Sequence, residues 1–504
     1  MHRCLNILEI ADMICALLDP RISSVSGPTP YRHLASVART CTALQGPALD
    51  HLWSSTALSK ILIRCMPSDL WAIATVDGKW SKEQAILLLR PVRDLDWNRV
   101  HLYAPRVKTL SSGNGWSLHG IFPALSMALP DALFPNLQTL DWGDYDEDFH
   151  YIHLFLHPTL TTIKCSPSSD SDSSLLSTLM AKCPRLTNIT VSTLLSPGVL
   201  VSEFVRKLQC AEHISVTIVD AAALQHVSHL NTLKSLTLHT LPNTLQLPPV
   251  GRKATFPVLR QFSVDDTEVG PTTQVLRWCS GVPLDTFNVA FYEPLTAKEM
   301  RGLVTAMSTA FLHSSLTDLC IGNSCDDLNI DPDVYLNPFQ SLRHVFIFAN
   351  LVSLTIASPL GFDLDDEAVL ELAKAWPRIT VLRLGVRCSA RTPRTTLSCL
   401  HSFAQNCPRL QILGMLLNAT AVPICTTSLA QRSLHTLEVD HSSLAADPVS
   451  VARFLSGMFP EMTDIETFRE YYDNDDEDDL MFDDEDVRLH NQWKEVQELL
   501  DGNQ

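Results

Sequence analysis

A single pattern, L-x-x-L-x-L with loosely apolar residues at the marked places, returns thirteen times along this chain and limits what it can fold into. It starts at Leu137/Leu140/Trp142 and continues through Leu160/Ile163/Cys165, Leu186/Ile189/Val191, Ala211/Ile214/Val216, Leu233/Leu236/Leu238 and Leu259/Phe262/Val264. Further copies are Leu284/Phe287/Val289, Leu316/Leu319/Ile321, Leu342/Val345/Ile347, Leu351/Leu354/Ile356, Ile379/Leu382/Leu384, Leu410/Leu413/Met415 and Leu434/Leu437/Val439. Successive leading positions lie 22 to 32 residues apart, except for one step of 9 between Leu342 and Leu351. A unit of that length cannot bury its own apolar face, so neighbouring units must stack. The marked residues then point into the stack and the strands line up as a parallel sheet.

A second signal supports the same register without using it. An apolar residue or Cys, then Pro, any residue and a further apolar residue occurs at Phe134-Pro135-Asn136-Leu137, Cys183-Pro184-Arg185-Leu186, Phe256-Pro257-Val258-Leu259, Trp376-Pro377-Arg378-Ile379, Cys407-Pro408-Arg409-Leu410 and Phe459-Pro460-Glu461-Met462. Proline ends a helix and biases its predecessor to extended geometry. Helical spacing precedes several of these prolines, as in Leu175, Leu176, Leu179 and Met180, in Val369, Leu370, Leu372 and Ala373, and in Leu397, Leu400, Phe403 and Ala404. The chain therefore reads as α/β, and it resembles an irregular leucine-rich-repeat solenoid with a curved parallel sheet inside and helices outside. Residues between the marked positions would line the concave face, among them Thr190, Ser215, Thr237, Ser263, Asn288, His344, Phe346, Thr355, Arg383 and Glu438. Such a face of small polar groups suits protein binding rather than catalysis.

Composition narrows the partners. With 38 Lys and Arg against 56 Asp and Glu, the net charge of −18 opposes nucleic-acid or anionic-membrane binding, because phosphate contacts need a basic surface. Ten of the acids fall between Asp473 and Asp486 and read as a disordered, self-repelling run over 471–486. Behind it, Val487, Trp493, Val496 and Leu500 mark a short amphipathic helix over 487–504, whose Trp493 suits partner or self docking. That whole tail, from Asp473 onward, is expected to be dispensable for stability. The uncharged stretch His344 to Phe362 reads as two buried strands rather than a membrane span.

The 14 cysteines stand singly with no CxxC pair, which fits a reduced cytoplasmic or nuclear setting. Glu9 and Asp12 interrupt the opening apolar segment, so no secretory signal is expected. His150, His153 and His157 have the spacing of one helix face, but nothing in the sequence fixes a fourth ligand opposite them. Without a P-loop, GxSxG or GxGxxG motif, no catalytic, metal or cofactor residue is nominated, and no enzyme is expected.

Residues 1–57 lack the repeat and carry three short helical patterns. These are Leu5, Leu8, Met13, Ile14 and Leu17; then Leu34, Val37, Ala38 and Cys41; then Leu49, Leu52 and Trp53. The opening Leu8-Glu9-Ile10, the middle Leu34 to Cys41 and the closing Leu49-Asp50-His51-Leu52-Trp53 resemble an F-box. With 58–106 as a helical linker and 107–470 as the repeats, the chain looks like the fungal F-box proteins with degenerate leucine-rich repeats. It departs from them in having Asn6-Ile7 where Leu-Pro usually opens the box, and an insertion from Arg21 to Arg32.

The resemblance implies a substrate-recognition subunit of a Skp–cullin–F-box ubiquitin ligase. In that role Leu5, Leu8, Ile10, Ile14, Leu17, Leu34, Val37, Cys41, Leu52 and Trp53 would contact the Skp adaptor, and through it a cullin–RING ligase. The concave face would hold a protein substrate. The alternative is a protein-binding scaffold with a vestigial box and no ubiquitin role.

Overall fold

The computed structural model describes residues 7–501 apart from 22–30, 78–81, 113–115, 119, 129–132, 144–147, 168, 170–174, 194–197, 248–253, 324–330, 359, 386–391, 424–429 and 468–483. Two compact units make up the chain, Met1–Val219 and Asp220–Gln504. Both are mixed α/β, built on parallel strands with intervening helices.

The first unit opens with helices Leu8–Leu17, Arg32–Val37 and Thr42–Trp53, and then forms six parallel strands: Ser55–Ala57, Thr109–Ser111, Thr139–Trp142, Thr162–Cys165, Asn188–Val191 and His213–Val216. The parallel strands thus begin well before the first recognisable repeat. Residues 58–106 are not wholly helical as expected. Between helices Leu58–Cys65 and Asn98–Tyr103, strands Trp71–Asp77 and Lys82–Leu88 pair antiparallel.

Among its described residues the second unit carries nine parallel strands: Ser235–Leu238, Gln261–Thr267, Thr286–Phe291, Asp318–Asn323, Ser353–Ile356, Val381–Arg383, Ile412–Gly414, Thr436–Asp440 and Asp464–Thr467. Their register places Leu236, Phe262, Phe287, Leu319, Leu354, Leu382, Leu413, Leu437 and Ile465 in one buried row. Each such side chain contributes ~1.5–3 kcal/mol when taken from water. None has a full complement of neighbours without the next repeat.

Four of the six prolines act as the sequence implies, whereas Phe256, before Pro257, follows no described helix and has a left-handed φ of 40. Cys183, Trp376, Cys407 and Phe459 each follow the last helical residue with nearly identical backbone angles, φ between −119 and −128 and ψ between 67 and 74. All four are fully buried. At Trp376, Cys407 and Phe459 the carbonyl accepts the N–H of the residue three further on, closing a turn with Pro at its second position. The strand begins a few residues later, so this short device converts helix to strand in these four repeats.

One of the thirteen pattern matches is not a strand. Leu342 lies in the helix Phe339–Arg343, and Leu342, Val345, Phe348 and Leu351 are all buried at i, i+3, i+6 and i+9. A 9-residue step cannot hold a strand, a turn and a return, and the same apolar spacing satisfies a helical turn. The stretch from His344 to Phe362 accordingly contains one strand of the main sheet, Ser353–Ile356, and not two.

The last strand is covered by the helix Asp484–Asp501. Trp493 is fully buried and its Nε1–H donates to the Ser442 carbonyl at 2.9 Å. Gln497 meets the open strand edge with both ends of its amide: Oε1 accepts from the Ile465 N–H at 2.5 Å, and Nε2 donates to the Thr463 carbonyl at 2.6 Å. One side-chain amide thus takes the place of the peptide group a further strand would present. The amphipathic helix is therefore part of the fold, which overturns the expectation that the tail is dispensable. The acidic run itself falls mostly outside the described residues. Trp493→Ala should cost ~3–5 kcal/mol, as other buried aromatic truncations do, and should lower the melting temperature measured by differential scanning calorimetry. A variant melting with the wild type would mean the helix is not docked.

Candidate functional site

On the half-exposed side of the sheet, strand register gathers the intervening residues into rows. In the first unit Ser111, Asp141, Lys164, Thr190 and Ser215 are successive neighbours. In the second the row runs Thr237, Ser263, Asn288, Cys320, Thr355, Arg383, Gly414, Glu438 and Glu466. Eight of the ten residues expected on the concave face therefore sit in these two rows. His344 and Phe346 do not. His344 follows the helix Phe339–Arg343, and Phe346 packs between Phe339 and the edge of Trp376.

Cys320 and Gly414 belong to the row although neither was singled out. Each directly follows the middle residue of its motif, Leu319 or Leu413, so applying the same offset to every repeat finds both. Burial raises the Cys320 thiol above its ordinary pKa, with Arg383 pulling the other way. The more deeply enclosed thiols of Cys165 and Cys279 are pushed up to about 12. These groups stay protonated at neutral pH and serve as apolar filling.

The strongest polar feature of the second row is an ion pair across a gap. Arg383 Nε lies 2.7 and 2.9 Å from the two Glu438 carboxylate oxygens, and Nη2 lies 2.6 Å from Oε1. The two residues are two strands apart, and Gly414 lies between them. A Cβ on Gly414 would come within 2.6 Å of Glu438 Oε2 and 3.3 Å of Arg383 Cγ. The absence of a side chain is what lets the pair close. Glu438 is almost wholly buried while Arg383 is about one-third exposed, so separating them strands a desolvated carboxylate.

In the helical module, Cys15, Leu34 and Ala48 form a small core, with Leu18, Val37, Ala38 and Leu52 packed around it. Leu34 is therefore structural, a correction to its expected place on a docking surface. Leu8 and Leu17 are exposed at 66% and 73%, and Ile7 and Met13 are exposed beside them on the same helix. Ile10, Ile14 and Cys41 are half-buried, and Leu5 lies outside the described residues.

The first and third helices are tied by a polar clamp. Asp19 accepts from Arg21 Nε at 2.8 Å and lies 3.1 Å from His51 Nδ1, while Arg21 Nη2 donates to the His51 carbonyl at 2.7 Å. Burial pushes the Asp19 pKa up, but hydrogen bonds from the Arg21 side chain and backbone and from His51 outweigh it and hold the carboxyl at about 2.

Leu52 and Trp53 also line a cleft of about 530 Å³, together with Tyr31, Arg32, Lys60 and Arg64. Trp53 is stacked on Tyr103 with ring centroids 4.5 Å apart, which fixes its indole in the wall.

The three spaced histidines do not converge. His153 Nδ1 donates to the His150 carbonyl at 2.6 Å and His157 Nδ1 lies 2.8 Å from the Thr159 hydroxyl. Among the described residues, no cluster of three His, Cys, Asp or Glu is placed to hold a metal. No described helix is long and apolar enough to cross a membrane.

No protein-family profile matches the chain, and no curated protein matches it. Among solved structures, a chain from the crystal structure of the Rad7 and Elc1 complex in yeast aligns with 92% of this chain and 88% of its own length. The identity is 12% and the TM-score 0.36, too low for the overlay to define a shared fold.

Two outcomes follow from this geometry. Arg383→Ala should leave the buried Glu438 carboxylate without this partner and cost on the order of 1–3 kcal/mol, read as a fall in unfolding midpoint; a neutral substitution would show the pair to be incidental. Asp19 has a folded pKa below its unfolded value, so its contribution is complete at neutral pH and is lost as pH falls from about 4 towards 2. Asp19→Asn should therefore melt lower than wild type at pH 7, with the gap closing near pH 2. A gap that stays constant with pH would exclude the clamp as its source.

Proposed function

We propose that the protein is a substrate-recognition subunit of a Skp–cullin–F-box ubiquitin ligase, with no catalytic chemistry of its own. The helical module would dock on the Skp adaptor and the polar rows of the sheet would hold a protein substrate. The observation that carries this reading is the first helix of the F-box-like module. It turns Ala11 and Cys15 inward and leaves Ile7, Leu8, Met13 and Leu17 outward, a set of large apolar side chains without cover among the described residues. A helix that keeps four such residues in water while burying only small ones is shaped for a partner. The small polar side chains of the sheet rows favour adaptable hydrogen bonding to a protein surface. This role belongs to the cytoplasm or the nucleus, where its ten described cysteines, all free, would stay reduced.

Co-purification of the intact chain with a Skp adaptor tests the reading directly. Leu8→Asp combined with Leu17→Asp should weaken adaptor binding by at least about tenfold, while circular dichroism stays unchanged because both side chains are exposed. Trp53→Ala should weaken binding by roughly thirtyfold. If the intact chain does not retain the adaptor, the ligase role fails and a binding scaffold with an inactive box takes its place.

A further inference from the structure

The cleft at the end of the third helix has a composition unlike the rest of the surface. Its wall is apolar, formed by Leu52 and the Trp53 indole. Its rim carries Arg32, Lys60 and Arg64, all exposed. In a chain with 56 acids against 38 bases, three cations around one opening should find carboxylates. The nearby acids are engaged elsewhere: Asp19 with Arg21 and His51, Asp12 with His51, and Asp50 with Arg106. No described carboxylate pairs with any of the three rim cations.

The backbone beside the cleft adds a second observation. Ser55 and Thr56 line it and belong to the strand Ser55–Ala57, which among the described residues has a strand neighbour on one side only. An extended peptide can add to such an edge through main-chain hydrogen bonds, with side chains entering the adjacent pocket.

We propose that this cleft binds an acidic peptide segment of a partner protein, with an apolar side chain against Leu52 and Trp53 and flanking carboxylates on Arg32, Lys60 and Arg64. The volume of about 530 Å³ lies within the ~300–1,000 Å³ typical of ligand pockets. A bare anion would leave the apolar wall unused. A nucleic acid carries a phosphate at every nucleotide and would need a longer run of cations than the three at this rim. Leu52 and Trp53 also belong to the proposed adaptor contact, so adaptor and peptide would compete for this wall; the two readings fail separately, since the probes below are peptides and not the adaptor.

Fluorescence anisotropy with labelled peptides and the full chain tests it. The hexapeptide EELFEE should bind with a Kd below about 1 mM, and EESSEE and KKLFKK should each bind at least tenfold more weakly. Raising salt from 50 to 500 mM should weaken EELFEE at least tenfold, because the rim pairs are exposed to screening. Lys60→Glu with Arg64→Glu should weaken it by a similar factor while the melting temperature holds, both side chains being at the surface. Failure of EELFEE to bind at 1 mM would overturn the proposal, as would equal binding of KKLFKK or indifference to the double substitution. Equal binding of EESSEE, with displacement by 10 mM inorganic phosphate, would reduce the cleft to a simple anion site and overturn it as well.

Discussion

Within each unit, each described repeat is held to the next by the same backbone contact at the point where its strand begins. Thr161 and Thr162 both donate their N–H groups to the Gln138 carbonyl, and Thr187 and Asn188 both donate to Thr161. The same two-to-one arrangement recurs in the second unit, from Arg260 and Gln261 on Lys234 to Thr463 and Asp464 on His435. This contact fixes the parallel register, and the register decides which side chains meet. Leucine faces leucine in the buried row only because the carbonyl before each strand is where it is, and the polar rows follow from the same alignment. A slip of one residue would exchange the two faces, burying threonine and serine and exposing leucine.

A ladder of this kind satisfies its interior strands and leaves its ends in deficit. The final strand, Asp464–Thr467, has edge groups that would face water or a stray partner strand if nothing covered them. The helix Asp484–Asp501 resolves that locally, with Gln497 supplying an acceptor and a donor and Trp493 filling the apolar layer. In the first unit, Ser55–Ala57 follows directly from the third helix of the amino-terminal module. That module is therefore continuous with the first strand, and its polar clamp at Asp19 stabilises a core that Cys15, Leu34 and Ala48 alone make small.

Much of this was legible in the sequence wherever two periods agreed. Twelve of the thirteen pattern matches are strands because alternation within the motif coincided with a spacing long enough for a helix and two turns. The Leu342 match failed because only the local spacing was right. Its 9-residue step was itself the warning, since apolar residues at i and i+3 serve a helix as well as a strand. The strands Ser55–Ala57 and Thr109–Ser111 were missed because their repeats are too degenerate to score. The antiparallel pair Trp71–Asp77 and Lys82–Leu88 was missed because 58–106 was read as helical throughout. At the candidate sites, the polar rows could be counted out from the repeat. The pairing of Arg383 with Glu438 could not, because the residues stand 55 apart and meet only where Gly414 leaves room.

That gap bears on how the sheet face can discriminate among partners. A free arginine on a polar face attracts any nearby carboxylate, whereas one already held by a buried glutamate is fixed in one plane. Arg383 is in the second condition, with its guanidinium turned along the sheet toward Glu438 and about a third of the side chain open to solvent. Beyond it, Glu466 follows Glu438 in the row, so local charge there leans negative. The row from Thr237 to Thr355 is neutral, with Ser263, Asn288 and Cys320 between. A partner laid along the second unit would therefore meet two chemistries in sequence: uncharged hydrogen-bonding groups first, then a fixed cation backed by carboxylates. The change falls at Gly414, the one position in the row without a side chain, and its vacancy is already filled by the ion pair that it makes possible.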